Sequence, residues 1–572
     1  MTTTPSRTRE LLDSIAVPVI STDADRTFAT LVRAHFEDLL EREPVYATYL
    51  GIHEMDDRLG DMSRDAHLDL VAAEKRFLAD LEAIDRAGLS APNTLECEMA
   101  ILGARRLIFD EEVHRTWERR VTAGETLGDA LFLLFARDFA PFPERLDAIA
   151  ARMEAAPVAL TQVRDRLADD PVALWLELEL EAVASLPGFF DLILDTAAGA
   201  YRDDTRFRRL ERAADGAKSA LEDYGAWIRE QLPRAGTEFA LGREQLDELI
   251  GLRAFDGLTA DEILDIGWQQ LDLNHAARRD AAAELDPTAS EQEVLERVKG
   301  DHPATFDEAL AEYQDVMSRA RAFVEQQGLA TIPDDAPLDV LATPDYLRRM
   351  TPFAAYFAPA AFDRPRRGIY IVTPSVDDDP GAMLEHNRSS ISNTSIHEAY
   401  PGHHLQLSAA LERPTLTRLM IDAPEFVEGW GMYSEQMMRE HGFDATPSHR
   451  MALATDAIWR ACRIILDIRL HRGEIGTAEA TDFLIEHTGF ERPNAEAEVQ
   501  RYTFTPTSQL SYMLGKVLIL RLREDERQRL GDRFSLRGFH DALLWTGSIP
   551  LSFHRRFLAG EGGGPFRPAP VR

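Results

Sequence analysis

Cysteine is almost missing from this chain. Only Cys97 and Cys462 occur in 572 residues. They lie far apart and form no C-x-x-C, which excludes a disulfide framework and a thiolate zinc site; both read as buried core residues. Basic charge is also scarce. Lys and Arg number 63 against 98 Asp and Glu, a formal net charge of −35. Nucleic-acid binding rests on basic patches facing phosphate, so that partner class is disfavoured, and so is an anionic membrane surface. Long apolar runs are lacking too. The N-terminal "IAVPVI" is short, contains proline and does not read as a secretory signal, and no stretch approaches the ~20 apolar residues of a membrane helix. A cytoplasmic location is expected.

What is present is a large, mostly helical chain. Hydrophobic residues make up 45%, enough for a sizeable core. Apolar residues recur at i, i+3, i+4 and i+7 over 27–43, 96–120, 142–156, 204–232, 260–284, 304–326, 448–471 and 506–528. "LTADEIL" sets Thr259 and Asp261 ahead of one such run as a start signal. "LSAPN", "LADDPV" and "GFERPN" separate others. One Pro- and Asp-rich region, 331–375, breaks the pattern and contains the strand signal "GIYIVT", with "FAAYF" (353–357) as a possible pairing partner. The expected fold class is mainly α, with this small β element. The expected organisation is a flexible N-terminus (1–20), a helical half (21–240), a second helical half holding the β element (241–558) and a loose tail (559–572).

The chemistry gathers in "NTSIHEAYPGHHLQ", residues 393–406. His397 and Glu398 begin like H-E-x-x-H, whose two histidines share one helix face around a zinc ion. Position 401 is Pro401 instead, and His403 and His404 follow. On a straight helix His403 lies about 9 Å along the axis from His397 and about 120° around it, and His404 about 10.5 Å away. Zinc–nitrogen bonds of about 2.0–2.1 Å allow neither to share an ion with His397. Proline removes an amide of the helical ladder and glycine tolerates unusual backbone, so Pro401-Gly402 can bulge or kink the helix and return a late histidine to the first. The spacing leaves the choice between the two histidines open. A helix that simply ends at Pro401, with surface histidines beyond, is the bland alternative. Downstream, "APEFVEGWGMYSEQMMRE" offers Glu425, Glu428 and Glu435 as further carboxylate ligands, and glycines around Trp430 suit close approach to another element.

"HEAYPGHHLQ" followed by "EGWGMYSEQ" resembles a large bacterial family of unknown function, DUF885, with an HExxPGHH motif. "RRGIYIVTP" and "VQRYTFTPTSQLSYMLGK" extend the likeness over at least 366–516. Members look like distant relatives of gluzincin metallopeptidases. The resemblance implies a zincin-like helical architecture, a Zn2+ ion held by His397, His403 and Glu428, and His403 rather than His404 as the second ligand.

Such a site implies a zinc metallopeptidase with Glu398 as general base. In "TFTPTSQLSYMLGK" Pro506 suits a first helical turn with Thr505 as cap, which sets Gln509, Tyr512 and Lys516 on one face. Tyr512 is the candidate oxyanion donor. Arg501 is the candidate fork for a substrate carboxylate, and Gln509 a further substrate-binding candidate. Tyr370, in "GIYIVT", is expected where an extended peptide adds to a strand edge. Asp467 is a candidate outer partner for a metal-bound histidine, or else pairs with Arg463 at i, i+4. His386 and His471 are weaker ligand candidates. The expected substrate is a peptide or small amide. An amidase or esterase acting on a non-peptide substrate, and a catalytically silent helical scaffold, are the alternatives.

Overall fold

The structure is a computed structural model and describes residues 6–15, 20–202, 204–343, 354–374 and 382–564. Helices dominate these residues, and three short strands form one sheet among them. The chain divides into two compact units. One comprises 1–90, 97–239 and 360–363; the other comprises 91–96, 240–359 and 364–572. Parts of the expected flexible N-terminus and loose tail lie outside the described residues. Within them, Arg7–Asp13 is helical, and Gly562 is buried in a turn at Glu561–Gly563.

In the first unit α1 (Ala123–Ala136), α2 (Phe142–Asp165), α3 (Ala173–Tyr201) and α4 (Thr205–Gln231) form its packed centre. α1 and α4 each pack on both α2 and α3. The stripe on α4 shows why: Phe207, Leu210, Ala214, Ala217, Leu221, Tyr224 and Ile228 are buried at helical spacing. α2 runs past its expected end at 156, through Pro157. The expected helix 96–120 is α-helical to Phe109 and continues as a π turn over Asp110–His114; Arg115 then turns left-handed (φ 56°) before a short helix, Thr116–Arg119. α3 departs from the expectation about apolar runs. Its stretch Ala173–Gly199, mean hydropathy 1.2, is long and apolar enough to cross a membrane by length and composition. Here it is amphipathic, burying Trp175, Leu176, Leu186, Phe190 and Ile193 while Glu177, Glu181, Asp191 and Asp195 are exposed.

The second unit is carried by α5 (Ala260–Leu285), α6 (Phe306–Gln327), β1 (Leu338–Ala342), β2 (Ala354–Phe357), β3 (Gly368–Val372), α7 (Arg388–Glu398), α8 (His403–Ala410), α9 (Pro424–Glu440), α10 (Pro447–His471) and α11 (Ser511–Leu530). Thr259 caps α5 in a reciprocal capping box with Glu262. α5 lies along α10, and Gly267 permits the approach: a Cβ there would sit 2.8 Å from Ile464. α10 is the unit's buried axis, with Ala461–Ile468 wholly inside. α7 packs against α6, α9 and α10, and α9 against α11.

The sheet order is β1-β3-β2. β3 pairs parallel with β1 (Val340 opposite Tyr370) and antiparallel with β2 (Tyr356 opposite Tyr370). The expected "FAAYF" pairing is present over 354–357, and Phe353 lies outside the described residues. "LDVLA", a strand not expected from the sequence, supplies β1. Because β3 is central, both its edges are taken. A peptide cannot add to it at Tyr370; the edge strands are β1 and β2.

Candidate metal centre

α7 is capped by Asn387, whose side chain accepts from Ser390 N at 2.9 Å, and presents Asn393 and His397 one turn apart. It ends at Glu398. Ala399 leaves helical geometry (φ −109°, ψ −88°), the Tyr400–Pro401 peptide is cis, and a new helix, α8, starts at His403. The break is thus a stop and restart, not the bulge within one helix that the spacing suggested. Gly402 sits so close to the end of α7 that a Cβ would lie 1.8 Å from the carbonyl oxygen of His397. Trp430 Nε1 on α9 donates to the Pro401 carbonyl at 2.7 Å and pins the turn.

This turn sets the His397 and His403 rings 4.6 Å apart and nearly perpendicular. Glu428 Oε2 lies 3.5 Å from His397 Nε2 and 3.4 Å from His403 Nε2. Ligand atoms on a tetrahedral ion with bonds of about 2.0–2.2 Å stand roughly 3.3–3.6 Å apart, so these two separations are edges of such a site. His397, Glu398 and His403 also bring ligand-competent atoms within 4.8 Å of one another. Burial alone would raise the Glu428 carboxyl, but His403 and His397 hold it well below its ordinary range. Burial alone would lower the His397 imidazole, but Glu428, Glu435 and Glu398 push it up to about 10. Carboxylate and imidazole thus stabilise each other's charged forms, and the same three side chains are competent to hold a divalent cation.

His404 faces elsewhere. Its Nδ1 is 2.9 Å from Tyr356 Oη and its Nε2 3.0 Å from the Ala336 carbonyl, and burial lowers its pKa to about 4. It fastens the sheet to α8. His397 Nδ1 is 2.6 Å from Glu435 Oε1, a carboxylate–histidine contact that fixes ring orientation and leaves Nε2 facing Glu428. Glu435 Oε2 in turn accepts from Asn393 Nδ2 at 3.0 Å, and Asn393 Nδ2 also donates to Asp456 Oδ2 at 2.7 Å. Among the described residues His403 has no such partner: its Nδ1 is buried without a hydrogen bond. Glu428 and Glu435, seven residues apart on α9, share a face, and Gly431 between them leaves room for the His397 ring. Gly429 does the same for α11, where a Cβ would sit 2.5 Å from Gly515.

A cleft of ≈370 Å³ opens on these groups. Tyr356, Thr394, Glu398, Asp456, Trp459, Arg460, Arg463 and Tyr512 complete its wall with the residues above. Tyr512 is thus placed at the cleft, and burial and then Glu428 raise its pKa. The other expected substrate contacts are not placed there. Arg501 is outside the lining and pairs with Glu498 at 3.1 Å. Gln509 is buried, its Nε2 donating to Thr505 Oγ1 at 2.8 Å. Tyr370 is buried behind the cleft, near enough that Glu398 adds to the effects of burial and Tyr313 in raising its pKa. Glu425 is buried away from the lining.

Thr505 and Pro506 do not start α11. Thr507 is left-handed (φ 64°), a short 3-10 turn covers Ser508–Leu510, and α11 begins at Ser511. Asp467 braces this turn rather than reaching His397 or His403: its Oδ2 accepts from Thr507 N at 2.8 Å, and its Oδ1 lies 3.9 Å from His471 Nε2. Arg463 pairs with Glu498 (2.8 Å), not with Asp467. His386 faces Tyr313, and His471 Nε2 faces the Tyr502 carbonyl at 2.9 Å. Asn393, Asp456 and Arg460 went unread in the sequence. Their signal was spacing: Asn393 four before His397, and Asp456, Trp459, Arg460 and Arg463 at i, i+3, i+4 and i+7.

A family model described as "Bacterial protein of unknown function (DUF885)" matches residues 44–557. A "putative lipoprotein of unknown function" from Shewanella oneidensis is similar over 93% of this chain and 99% of its own, with 23% identity and a TM-score of 0.77. A "putative lipoprotein" from Colwellia psychrerythraea is similar over 93% and 98%, with 18% identity and a TM-score of 0.78. At these identities the likeness is one of fold. No curated protein matches the chain.

Proposed function

We propose that this chain, which belongs to the bacterial family DUF885, is a zinc-dependent hydrolase, a metallopeptidase that cleaves peptide bonds. The observation that carries the reading is Glu428 Oε2 at 3.5 and 3.4 Å from the Nε2 atoms of His397 and His403, with Glu398 beside them in an open cleft. A His, His, Glu set drawn from two segments, with a carboxylate following the first histidine, is also what supports a distant gluzincin relationship.

Zinc, when bound, supplies Lewis-acid activation of water and of the scissile carbonyl. His397, His403 and Glu428 would hold it. Glu435 keeps His397 Nδ1 engaged so that Nε2 points to the site. Glu398, at the end of α7 and within reach of both histidines, takes the proton of the attacking water on its carboxylate and delivers it to the leaving amine. Tyr512 donates its hydroxyl proton in a hydrogen bond to the developing oxyanion. β2, an edge strand that contributes Tyr356 to the cleft, is the place where a peptide backbone can pair.

The experiment is metal analysis of purified protein followed by a mixed peptide library read by mass spectrometry. One zinc per chain and chelator-sensitive cleavage support the reading. Turnover of esters or non-peptide amides alone moves it to the second hydrolase class. One zinc with no turnover of any library leaves the silent scaffold. The cytoplasm is our proposed location, with nucleic acid and membrane not among the partners; the naming of the two solved relatives suggests the cell envelope instead, and fractionation decides between them.

A further inference from the structure

α10 turns one face toward the cleft, carrying Asp456, Trp459, Arg460 and Arg463. The two arginines differ. Arg463 is committed: Nη2 donates to Glu498 at 2.8 Å, Nε to Tyr502 Oη at 3.2 Å, and its guanidinium lies between the rings of Trp459 (4.2 Å) and Tyr512 (4.6 Å). Arg460 is not. Its guanidinium carbon lies over Trp459, 3.9 Å from the ring centre, and its one hydrogen bond among the described residues is to Asp456 Oδ1 at a long 3.5 Å. Asp456 is itself held from behind, its Oδ2 by Asn393 at 2.7 Å. Arg460 therefore presents a guanidinium held in orientation by an aromatic platform, with most of its donors unspent, in a cleft that also holds the His397–His403–Glu428 set.

We propose that Arg460 anchors a substrate carboxylate, so that the cleft takes short peptides or N-acyl amino acids whose free carboxylate lies within a residue or two of the bond cleaved. This rests on the hydrolase reading and narrows its substrate class. A planar fork of donors matches a carboxylate's two oxygens, and a guanidinium is always charged. A multiply charged anion fits poorly, because Glu398, Glu428, Glu435 and Asp456 share the same cleft. A volume of ≈370 Å³ is near the lower end for small-molecule sites, which favours a short substrate.

The test uses an N-acetyl-dipeptide library prepared as free acids and as matching C-terminal amides. Binding is measured by calorimetry on zinc-loaded Glu398→Gln protein, and kcat and KM on the protein with Glu398 intact. With Arg460 present, free acids should bind at least 10-fold more tightly than amides. Arg460→Met should remove that difference by weakening acids alone, with zinc content and Tm unchanged, and the kinetic loss should fall in KM. Arg460→Lys should restore part of the preference. Equal weakening of acids and amides, an acid preference that survives Arg460→Met, or no binding of either form would overturn the proposal. If zinc content or chelator-sensitive turnover fails while the Arg460-dependent acid preference persists, the hydrolase reading falls and the carboxylate anchor stands.

Discussion

Gly431 on α9 stands directly against the imidazole of His397: a Cβ there would lie 2.6 Å from Cε1 and 2.7 Å from Nε2. The absence of one methyl group thus lets α9 pass the ring and carry Glu428 to the first histidine. The first prediction follows. Gly431→Ala should strengthen α9 as a helix by about 1 kcal/mol of intrinsic propensity, yet push His397 out of line with His403 and Glu428. Zinc affinity, measured by competition with a chelator, should fall by about 10–100-fold, the usual range for displaced supports of a metal ligand. A variant with undiminished affinity would show that the ring does not need that space.

Glu398 should be separable from metal binding. Glu398→Gln keeps the size of the side chain and removes its ability to take a proton. Zinc content should stay at one per chain while kcat drops by about 10²–10⁴-fold. Near-normal turnover would assign the general base to another residue.

Gly402 gives a sharper outcome than its place in the sequence suggests. Reading the segment as a kinked helix implies that alanines at 401 and 402 would straighten it and weaken the zinc site while the chain stays folded. The structure argues otherwise for position 402, because the clash at 1.8 Å is with backbone, the His397 carbonyl oxygen, and no side chain can move aside. Gly402→Ala should cost stability as well as zinc, about 1–3 kcal/mol or more for an overpacked position. Denaturant unfolding of the metal-free protein reads this directly, and an unchanged midpoint would refute it.

Asp467 supplies a pH prediction. Burial raises its pKa to about 8, and the Thr507 amide opposes this only in part. The folded state then keeps a proton that the unfolded chain releases above its ordinary pKa near 4. Stability from this group is therefore fully present below about pH 4 and is lost as pH rises toward about 8. Asp467→Asn retains an acceptor for Thr507 and does not titrate. Its stability relative to the parent protein should increase across that window and level off above it, by up to about 1.4 kcal/mol per pH unit within it. A pH-independent difference in unfolding free energy would exclude this origin.

Much of the candidate site was legible in local sequence. Helical periodicity announced the long helices α5, α6, α10 and α11 of the second unit, and "GIYIVT" with "FAAYF" announced two of its three strands. His397 and Glu398 lie side by side, and Pro401-Gly402 marks an interruption that any proline and glycine there would impose. "EGWGMYSEQ" carries two carboxylates on one helix face with glycine between them. These signals are local because helix geometry relates residues only a few turns apart.

What only the tertiary structure decided is which faces meet. His403 and His404 are adjacent in sequence, yet one faces His397 while the other hydrogen-bonds to Tyr356 and the Ala336 carbonyl. Glu435 rather than Asp467 supports His397, because α9 passes that ring and Asp467 is occupied by the Thr507 amide. Arg460 rather than Arg501 looks into the cleft, and Tyr370 is central in its sheet instead of at an edge. Each of these depends on packing between segments tens of residues apart. Period and spacing within one element place a side chain on a face, but they carry no information about what that face will be packed against.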